Sequence, residues 1–211
     1  MLAAAVPDAR LPAGWAAEVK WDGWRALLSW DAGRLVLRSR QGTPLADAFP
    51  EVRAGAAQLP DGTALDGELI VGDESGRLAF ERLQGRIQRR GAGVARLAAE
   101  WPAHFVAFDC CGSPAPTRWP GPTGGAGPCW SVFAARRLSA PWALCPSTTD
   151  ADMVREWLTW AAVGSPSWAT LLQIRRAEPS HPPAPHPSPT QGRPQELLLE
   201  GLPRPAQGRA C

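Results

Sequence analysis

Residues 14–40 show the alternation of apolar and polar side chains that is typical of β-strands. One alternating run extends from Trp24 to Trp30, and a second extends from Arg34 to Ser39. The connection Asp31-Ala32-Gly33 is rich in turn-forming residues, so the two runs are predicted to pair as a β-hairpin. The N-terminal part of the chain should therefore be built around an antiparallel sheet.

Both strands and helices are predicted after the hairpin. Apolar residues at helical spacing predict a helix from Leu45 to Leu59, which Pro60 ends. Asp150 can cap a later helix whose apolar face holds Met153, Val154, Trp157, Leu158 and Ala161. The remaining predicted elements are strands at 64–71 and 104–109 and helices at 80–87 and 94–101. This mixture predicts an α+β fold.

Two stretches show no periodicity. Residues 110–130 contain five glycines and five prolines, and residues 179–211 contain nine prolines. Gly and Pro at this density do not support strands or helices. We therefore predict one partial domain at 1–164 with an irregular insert at 110–130, followed by a Pro-rich, disordered tail at 165–211.

Composition limits the setting in which the chain works. The five cysteines are odd in number and show no CxxC spacing, which favours a reducing compartment without a disulfide framework. No run approaches the ~18 apolar residues of a membrane helix. We expect a soluble, cytoplasmic protein without membrane contact. With a formal net charge of +2, any nucleic acid must be bound by a local patch rather than by overall charge.

Lys20 is the only lysine, although the chain has 22 basic residues. Arginine stays protonated at neutral pH, whereas lysine can lose its proton and then act as a nucleophile. A lysine kept at a single position, between two strands, is therefore a candidate nucleophile. The alternative is a solvated strand lysine with no chemical role.

The segment Lys20-Trp21-Asp22-Gly23-Trp24-Arg25 resembles the KxDGxR motif of the covalent nucleotidyltransferases, which include ATP-dependent DNA ligases, RNA ligases and mRNA capping enzymes. Further motifs of these enzymes are resembled, in order, by residues 38–42 (SRNG-like), 65–69 (the third motif), 105–109 (the aromatic motif ending in Phe-Asp) and 140–160 (the segment before the fourth motif). The sequences of these motifs are most similar to those of bacterial ATP-dependent DNA ligases of the end-joining type. This resemblance implies an ATP-grasp-like adenylation domain: antiparallel sheets flanked by helices, with ATP in the cleft between them, incomplete at its C-terminal side.

The resemblance also implies roles for particular residues. Lys20 would attack the α-phosphate of ATP and carry AMP as a phosphoramide. The nucleotide would be bound by Glu18, Arg25, Arg40, Glu68 and Phe108, with Arg25 and Arg40 on ribose and phosphate oxygens and Phe108 stacked on adenine. Glu68 would contact the ribose or a divalent metal, Mg²⁺ or Mn²⁺. The implied substrate is nicked double-stranded DNA in repair or recombination, with end-joining proteins as partners of a monomer.

Each assignment has a plainer alternative. Arg40 could be a surface charge, Phe108 a core residue and Glu68 a carboxylate at a hairpin end. His104 is expected to be structural. The adjacent pair Cys110-Cys111 suggests redox or metal chemistry, which the lack of order around it disfavours.

The chain departs from the family after the helix at residues 150–162. The family continues with Glu-Gly-x-x-x-Lys and a strand carrying a lysine pair, whereas Ser165-Pro166-Ser167-Trp168 stands here and no lysine follows Lys20. By the resemblance, we expect the metal-binding glutamate, the two phosphate-binding lysines and the oligonucleotide-binding domain to be missing, so the chain could be inactive. A one-base shift of GC-rich codons at 121–130 can yield Trp-Pro-Tyr-Arg-Arg-Arg, a string common in the family. This suggests that residues 110–130 are out-of-frame translation, whereas for residues 165–211 the same origin stays open.

Two other functions stay open at this point. One is an RNA ligase or a capping-type nucleotidyltransferase of the same fold. The other is a non-catalytic remnant that binds nucleic acid or protein.

Overall fold

The computed structural model describes residues 11–74, 78–89, 91–112, 138–164 and 172–176. Side chains are described up to residue 108 in the third of these ranges and up to residue 158 in the fourth, and only the backbone in the last. The strands are β1 (Trp15–Val19), β2 (Trp24–Asp31), β3 (Arg34–Ser39), β4 (Thr63–Val71), β5 (Ala103–Gly112), β6 (Trp142–Leu144), β7 (Ser147–Thr148) and β8 (Leu172–Arg176). The helices are α1 (Pro50–Gly55), α2 (Phe80–Ile87), α3 (Ala92–Glu100) and α4 (Ala151–Gly164), and a single 3-10 turn covers Ala56–Gln58.

The predicted hairpin is confirmed. Strands β2 and β3 pair antiparallel from Ala26 opposite Ser39 to Asp31 opposite Arg34. Ala32 and Gly33 connect them, both with positive φ, at 47° and 73°. Glycine adopts this conformation readily, and the resulting two-residue turn matches the twist of the paired strands.

The described residues fall into two compact units. One contains the chain up to Asp22 and again from Cys145, with β1, β7, β8 and α4. The other contains Gly23–Leu144, with β2 to β6 and helices α1 to α3. The first holds a three-stranded sheet in the order β7-β1-β8, and the second a five-stranded sheet in the order β3-β2-β4-β5-β6. All strand pairs are antiparallel except β5 with β6. The α+β fold with antiparallel sheets is thus confirmed.

The core of the larger unit lies on one face of the five-stranded sheet. In β2, Ala26 and Leu28 are buried while Arg25 and Leu27 are exposed, which is the alternation expected for a strand with one covered face. The buried cluster joins this face to the helices and includes Leu37, Phe49, Val52, Leu65, Leu69, Leu83, Phe105 and Trp142. The opposite face of β2 carries the polar side chains considered below.

Several predicted helices are confirmed, but the helix predicted at Leu45–Leu59 differs at both ends, since it ends at Gly55 before a 3-10 turn. Helix α2 spans the predicted residues, and Asp150 caps α4 by accepting a 2.8 Å hydrogen bond from the Asp152 amide. The helix predicted from Leu45 begins only at Pro50. Proline lacks an amide hydrogen and is favoured in the first turn of a helix, so the helix starts there although the apolar pattern extends further back.

Order also extends into both stretches predicted to be irregular. Strand β5 continues to Gly112 because β4 offers partners for Cys110 and Gly112, at Leu65 and Ala64. Strand β8, at 172–176, pairs with the whole of β1, so the prediction of disorder is wrong for these five residues. The rest of 110–130 and of the tail lies outside the described residues. Within the described ranges, no helix is long and apolar enough to cross a membrane.

Candidate functional site

Lys20 stands directly after the last residue of β1. Its side chain is exposed, whereas the residues on either side, Val19 and Trp21, are buried. Glu18 lies within β1, 3% exposed, between its backbone partners Ser147 of β7 and Gln173 of β8. Within the segment from Glu18 to Trp21, Lys20 is therefore exposed while the other three residues are buried.

Gly23 follows two residues later, where the chain enters the larger unit. A Cβ atom at this position would collide with the carbonyl oxygen of Leu69 and would lie 2.7 Å from Cγ of Glu68 and 2.9 Å from Cγ2 of Ile70. The glycine of the KxDG segment is therefore required because β2 starts in close contact with β4, beside Glu68. The sequence alone showed the glycine but not this reason for it.

Arg25 is held by a residue that the sequence analysis did not single out. Its Nε and Nη2 atoms donate hydrogen bonds of 3.0 and 2.7 Å to the two carboxylate oxygens of Asp66 in β4. Such a forked pair fixes the plane of the guanidinium as well as its position. Asp66 lies two residues before Glu68, so the alternation along β4 places both carboxylates on one face. That spacing is the signal that could have identified it.

Phe108 occupies a bulge in β5. Gly67 pairs with Ala107 and Asp66 pairs with Asp109, so Phe108 is an extra residue on its strand. Bulges of this kind change the direction of a side chain and are frequent beside active sites. The ring is half-buried, and the guanidinium carbon of Arg25 lies 5.7 Å from its centroid.

Gly67 makes this bulge possible. A Cβ atom there would collide with the carbonyl oxygen of Val106 and lie 2.5 Å from Cε1 of Phe105. The close approach of β4 and β5 next to the bulge thus depends on the glycine of the Asp-Gly-Glu segment.

Arg40 lies at the tip of an ordered turn. The amide of Gly42 donates to the Ser39 carbonyl at 2.8 Å, and the amide of Thr43 donates to the Ser39 hydroxyl at 3.1 Å. Ser39 pairs with Ala26, so Arg40 follows the end of β3 that neighbours the start of β2. Its side chain is exposed.

The structure thus brings four groups together at one end of the five-stranded sheet. Glu68 is directly opposite Arg25 in the register, Asp66 binds Arg25, and Phe108 lies beside it. Arg40 emerges at the same end of the sheet. Lys20 and Glu18 belong to the smaller unit, which the chain leaves between Asp22 and Gly23.

Within the ranges that the structure describes, the protein's own side chains do not form a metal centre. No cluster of three or more His, Cys, Asp or Glu side chains that could hold an ion occurs in the described part of the chain. Magnesium in nucleotide enzymes is usually held by one or two carboxylates together with substrate phosphates and water. Glu68 fits that mode as a single, half-buried carboxylate beside Arg25.

The fold and the order of these motifs define the class of covalent nucleotidyltransferases. A sequence model for the family described as "ATP dependent DNA ligase domain" matches residues 1–113 of the 211 in the chain. The chain belongs to this family.

Its relatives are bacterial DNA ligases. DNA ligase C2 of Mycolicibacterium smegmatis is 38% identical over 101 residues, and DNA ligase C of Mycobacterium tuberculosis is 39% identical over 100 residues. Each alignment covers 47% of this chain and 28% of the relative. The chain therefore spans little more than a quarter of the length of these relatives.

Among solved structures, the chain is similar to "mycobacterial DNA ligase D complexed with ATP and MES". The sequence identity is 38%, the match covers 46% of this chain and 29% of that one, and the TM-score is 0.36.

Proposed function

We propose that this chain is the adenylation part of an ATP-dependent DNA ligase that acts on nicked DNA in end-joining repair. The observation that carries the proposal is the position of Lys20. The only lysine of the chain is exposed at the end of β1, inside the segment that matches the ligase family. The bacterial relatives named as end-joining LigD proteins support the choice of pathway.

The chemistry of the first step follows from a lysine nucleophile. The Nζ lone pair of Lys20 attacks the α-phosphorus of ATP and a P–N bond forms. The bond from the α-phosphorus to the bridging oxygen breaks, pyrophosphate leaves, and the amine gives up a proton. The product is a lysyl-AMP phosphoramide, from which AMP passes to the 5′-phosphate of a nick.

Arg25 and Phe108 are suited to hold the nucleotide. Asp66 fixes the Arg25 guanidinium, so its orientation is set before a ligand arrives, and an oriented cation loses little entropy on binding phosphate or ribose oxygens. The half-buried Phe108 ring offers a face for adenine. Arg40, exposed beyond β3, would add a second cation, and Glu18 would support the pocket beside Lys20.

A divalent ion would complete the charge balance. Glu68 would supply one carboxylate to Mg²⁺ or Mn²⁺ that arrives with the nucleotide phosphates, where the ion would neutralise charge on the leaving pyrophosphate. No lysine follows Lys20 to share this task. We therefore expect nucleotide binding to be retained better than sealing, which should be slower than that of an intact ligase by several powers of ten.

The wider setting is part of the same proposal. Nicked double-stranded DNA is the expected substrate, end-joining proteins the expected partners, and the cytoplasm the expected location of a monomer.

Labelling with radioactive ATP tests the proposal. Incubation with Mg²⁺ should give one covalent adduct, and peptide mapping should place it on Lys20. Lys20→Arg should abolish it, because the guanidinium stays protonated and cannot attack. Label from GTP instead of ATP would favour a capping-type enzyme, and transfer to nicked RNA alone would favour an RNA ligase. Absence of both binding and labelling would favour a non-catalytic remnant.

A further inference from the structure

A chain of hydrogen bonds through one sulfur atom joins the two residues that flank Lys20. The indole Nε1 of Trp21 donates to Sγ of Cys145 at 3.4 Å, and this Sγ lies 3.5 Å from the carbonyl oxygen of Val19, to which it can donate. The carbonyl of Pro146, at 3.7 Å, is a second and longer option for the same thiol hydrogen. All of these residues belong to the smaller unit.

The residues of this chain are buried, although Lys20 itself is exposed. Trp21 is 3% exposed, and Val19 and Cys145 are each 8% exposed. A buried tryptophan contributes a large apolar surface and usually needs a partner for its N–H, so Trp21 is held by packing and by one directional bond. The backbone of Lys20 is therefore held on both sides, and its exposed side chain takes no part in these hydrogen bonds.

The sulfur atom comes from a distant part of the sequence. Cys145 is the first residue of the chain after it returns from the larger unit, and Trp21 is the last but one before it leaves. A thiol is a weak donor and a weak acceptor, so two bonds through it contribute little to stability. Their effect is geometric, because they couple both neighbours of Lys20 to a single point.

We propose that Trp21 and Cys145 are positioning residues for Lys20, which hold its backbone so that Nζ reaches the α-phosphate in line with the leaving group. This inference rests on the proposed function. Neither residue contacts the nucleotide in the arrangement proposed above, so both act through Lys20. A displacement of about 1 Å in a reacting group can lower a rate roughly 100-fold.

The chain contains a matched control for the loss of a buried indole hydrogen bond. Trp142, 4% exposed, donates from Nε1 to the carbonyl oxygen of Gly55 at 3.0 Å in the larger unit. Trp21→Phe and Trp142→Phe therefore each remove an indole N–H hydrogen bond from an almost equally buried ring, to a sulfur in the first case and to a carbonyl oxygen in the second, but only the first change is next to Lys20. Unfolding midpoints measured for both variants separate a general loss of stability from an effect on the lysine.

The experiment measures the rate of lysyl-AMP formation against ATP concentration for the full chain and for Trp21→Phe, Cys145→Ala, Cys145→Ser and Trp142→Phe. Trp21→Phe and Cys145→Ala should lower the maximal rate about 10- to 100-fold while the ATP concentration at half-maximal rate changes little. Cys145→Ser should recover part of the rate, since a hydroxyl can donate and accept. Trp142→Phe should leave the rate unchanged. Equal rates in all five proteins, or equal losses in the two tryptophan variants, would overturn the inference.

A second readout does not depend on ATP. Because the chain has a single lysine, an amine-reactive probe such as trinitrobenzenesulfonate reports on Lys20 once the labelled peptide is mapped and the N-terminal amine is set aside. The time profile of Lys20 labelling at one fixed pH should change in Trp21→Phe and Cys145→Ala but not in Trp142→Phe. If the unaltered chain forms no lysyl-AMP, the proposed function fails, while the labelling profiles still decide on positioning. Identical profiles in all variants would refute it.

Discussion

The guanidinium of Arg25 and the carboxylate of Asp66 are joined by two hydrogen bonds across the neighbouring strands β2 and β4. Their side chains are 44% and 19% exposed, so solvent screens the pair and its contribution to stability should be small. Its effect is on orientation. The pair fixes Arg25 beside Phe108 and directly opposite Glu68, in the cluster proposed to bind the nucleotide.

Asp66→Asn should weaken ATP binding without unfolding the protein. The amide cannot accept both hydrogen bonds, so Arg25 loses its fixed orientation. A hydrogen bond from the charged Arg25 to ATP should contribute roughly 1.5–3 kcal/mol to binding. Its loss corresponds to a decrease in ATP affinity of about 10- to 100-fold. Titration with ATP measures this. Asp47→Asn is the control, since Asp47 pairs with Arg53 on the surface and is 82% exposed; equal losses in both variants would contradict the role of Asp66.

Gly23→Ala should destabilise the protein and suppress labelling of Lys20. The added Cβ would meet backbone, at the Leu69 carbonyl, which cannot move aside as a flexible side chain can. Overpacking of this kind costs about 1–3 kcal/mol. Gly85→Ala is the comparison, because Gly85 lies within α2 with nothing within 4 Å of an added Cβ. There alanine should stabilise the helix by up to about 1 kcal/mol. Urea unfolding of both variants should give shifts of opposite sign.

Arg86→Met should be strongly destabilising. The Arg86 side chain is 1% exposed, pairs with Glu51 and donates to the carbonyl of Leu97 at 3.0 Å. Removal of one partner leaves a largely buried carboxylate without its cation, which costs about 3–5 kcal/mol. The free energy of unfolding in denaturant is the measurement. Arg53→Gln, which breaks an exposed pair, should change it by less than about 1 kcal/mol.

His104 should make the fold sensitive to mild acid. Burial, and to a smaller extent the charge of Arg86, lowers the pKa of His104 from 6.5 to about 4. Well above pH 6.5 the imidazole is neutral in both the folded and the unfolded state, so it does not make stability depend on pH. As the pH falls from 6.5 towards 4, the unfolded chain binds the proton first, so stability decreases with a slope of about 1.4 kcal/mol per pH unit. His104→Gln should reduce this slope in denaturant unfolding between pH 4 and 7. An unchanged slope would show that other groups cause it.

The local elements could be predicted from the sequence because local signals determine them. Helix α2 and the β2–β3 hairpin follow from apolar spacing and a two-residue turn, and the structure confirms both. The α+β class followed from the same elements, and the family from the order of its motifs. The roles assigned to the six site residues all remain predictions: Lys20, Glu18, Arg25, Arg40, Glu68 and Phe108.

Features that depend on distant partners could not be predicted. At the bulge, β5 has one more residue, Phe108, than the segment of β4 with which it pairs. The sequence of either strand alone does not show this difference. The pairing of Arg25 with Asp66 joins residues 41 positions apart. Strand β8 was not predicted because its five residues, in a region with Gly and Pro, show little periodicity. They form a strand because their backbone pairs with that of β1.

The order of strands in the smaller sheet has a consequence for synthesis of the protein. Both partners of β1, at residues 147–148 and 172–176, are translated more than 120 residues after it. At about 5–20 residues per second, the strand that leads to Lys20 waits several seconds to half a minute without a partner. The hairpin of β2 and β3 can close within microseconds of leaving the ribosome. A ribosome that stalls before codon 145 would thus release a chain in which the β2–β3 hairpin is paired and β1 is not. The unpaired edge of β1 would then pair with other chains, and Lys20 would not be held in place for reaction.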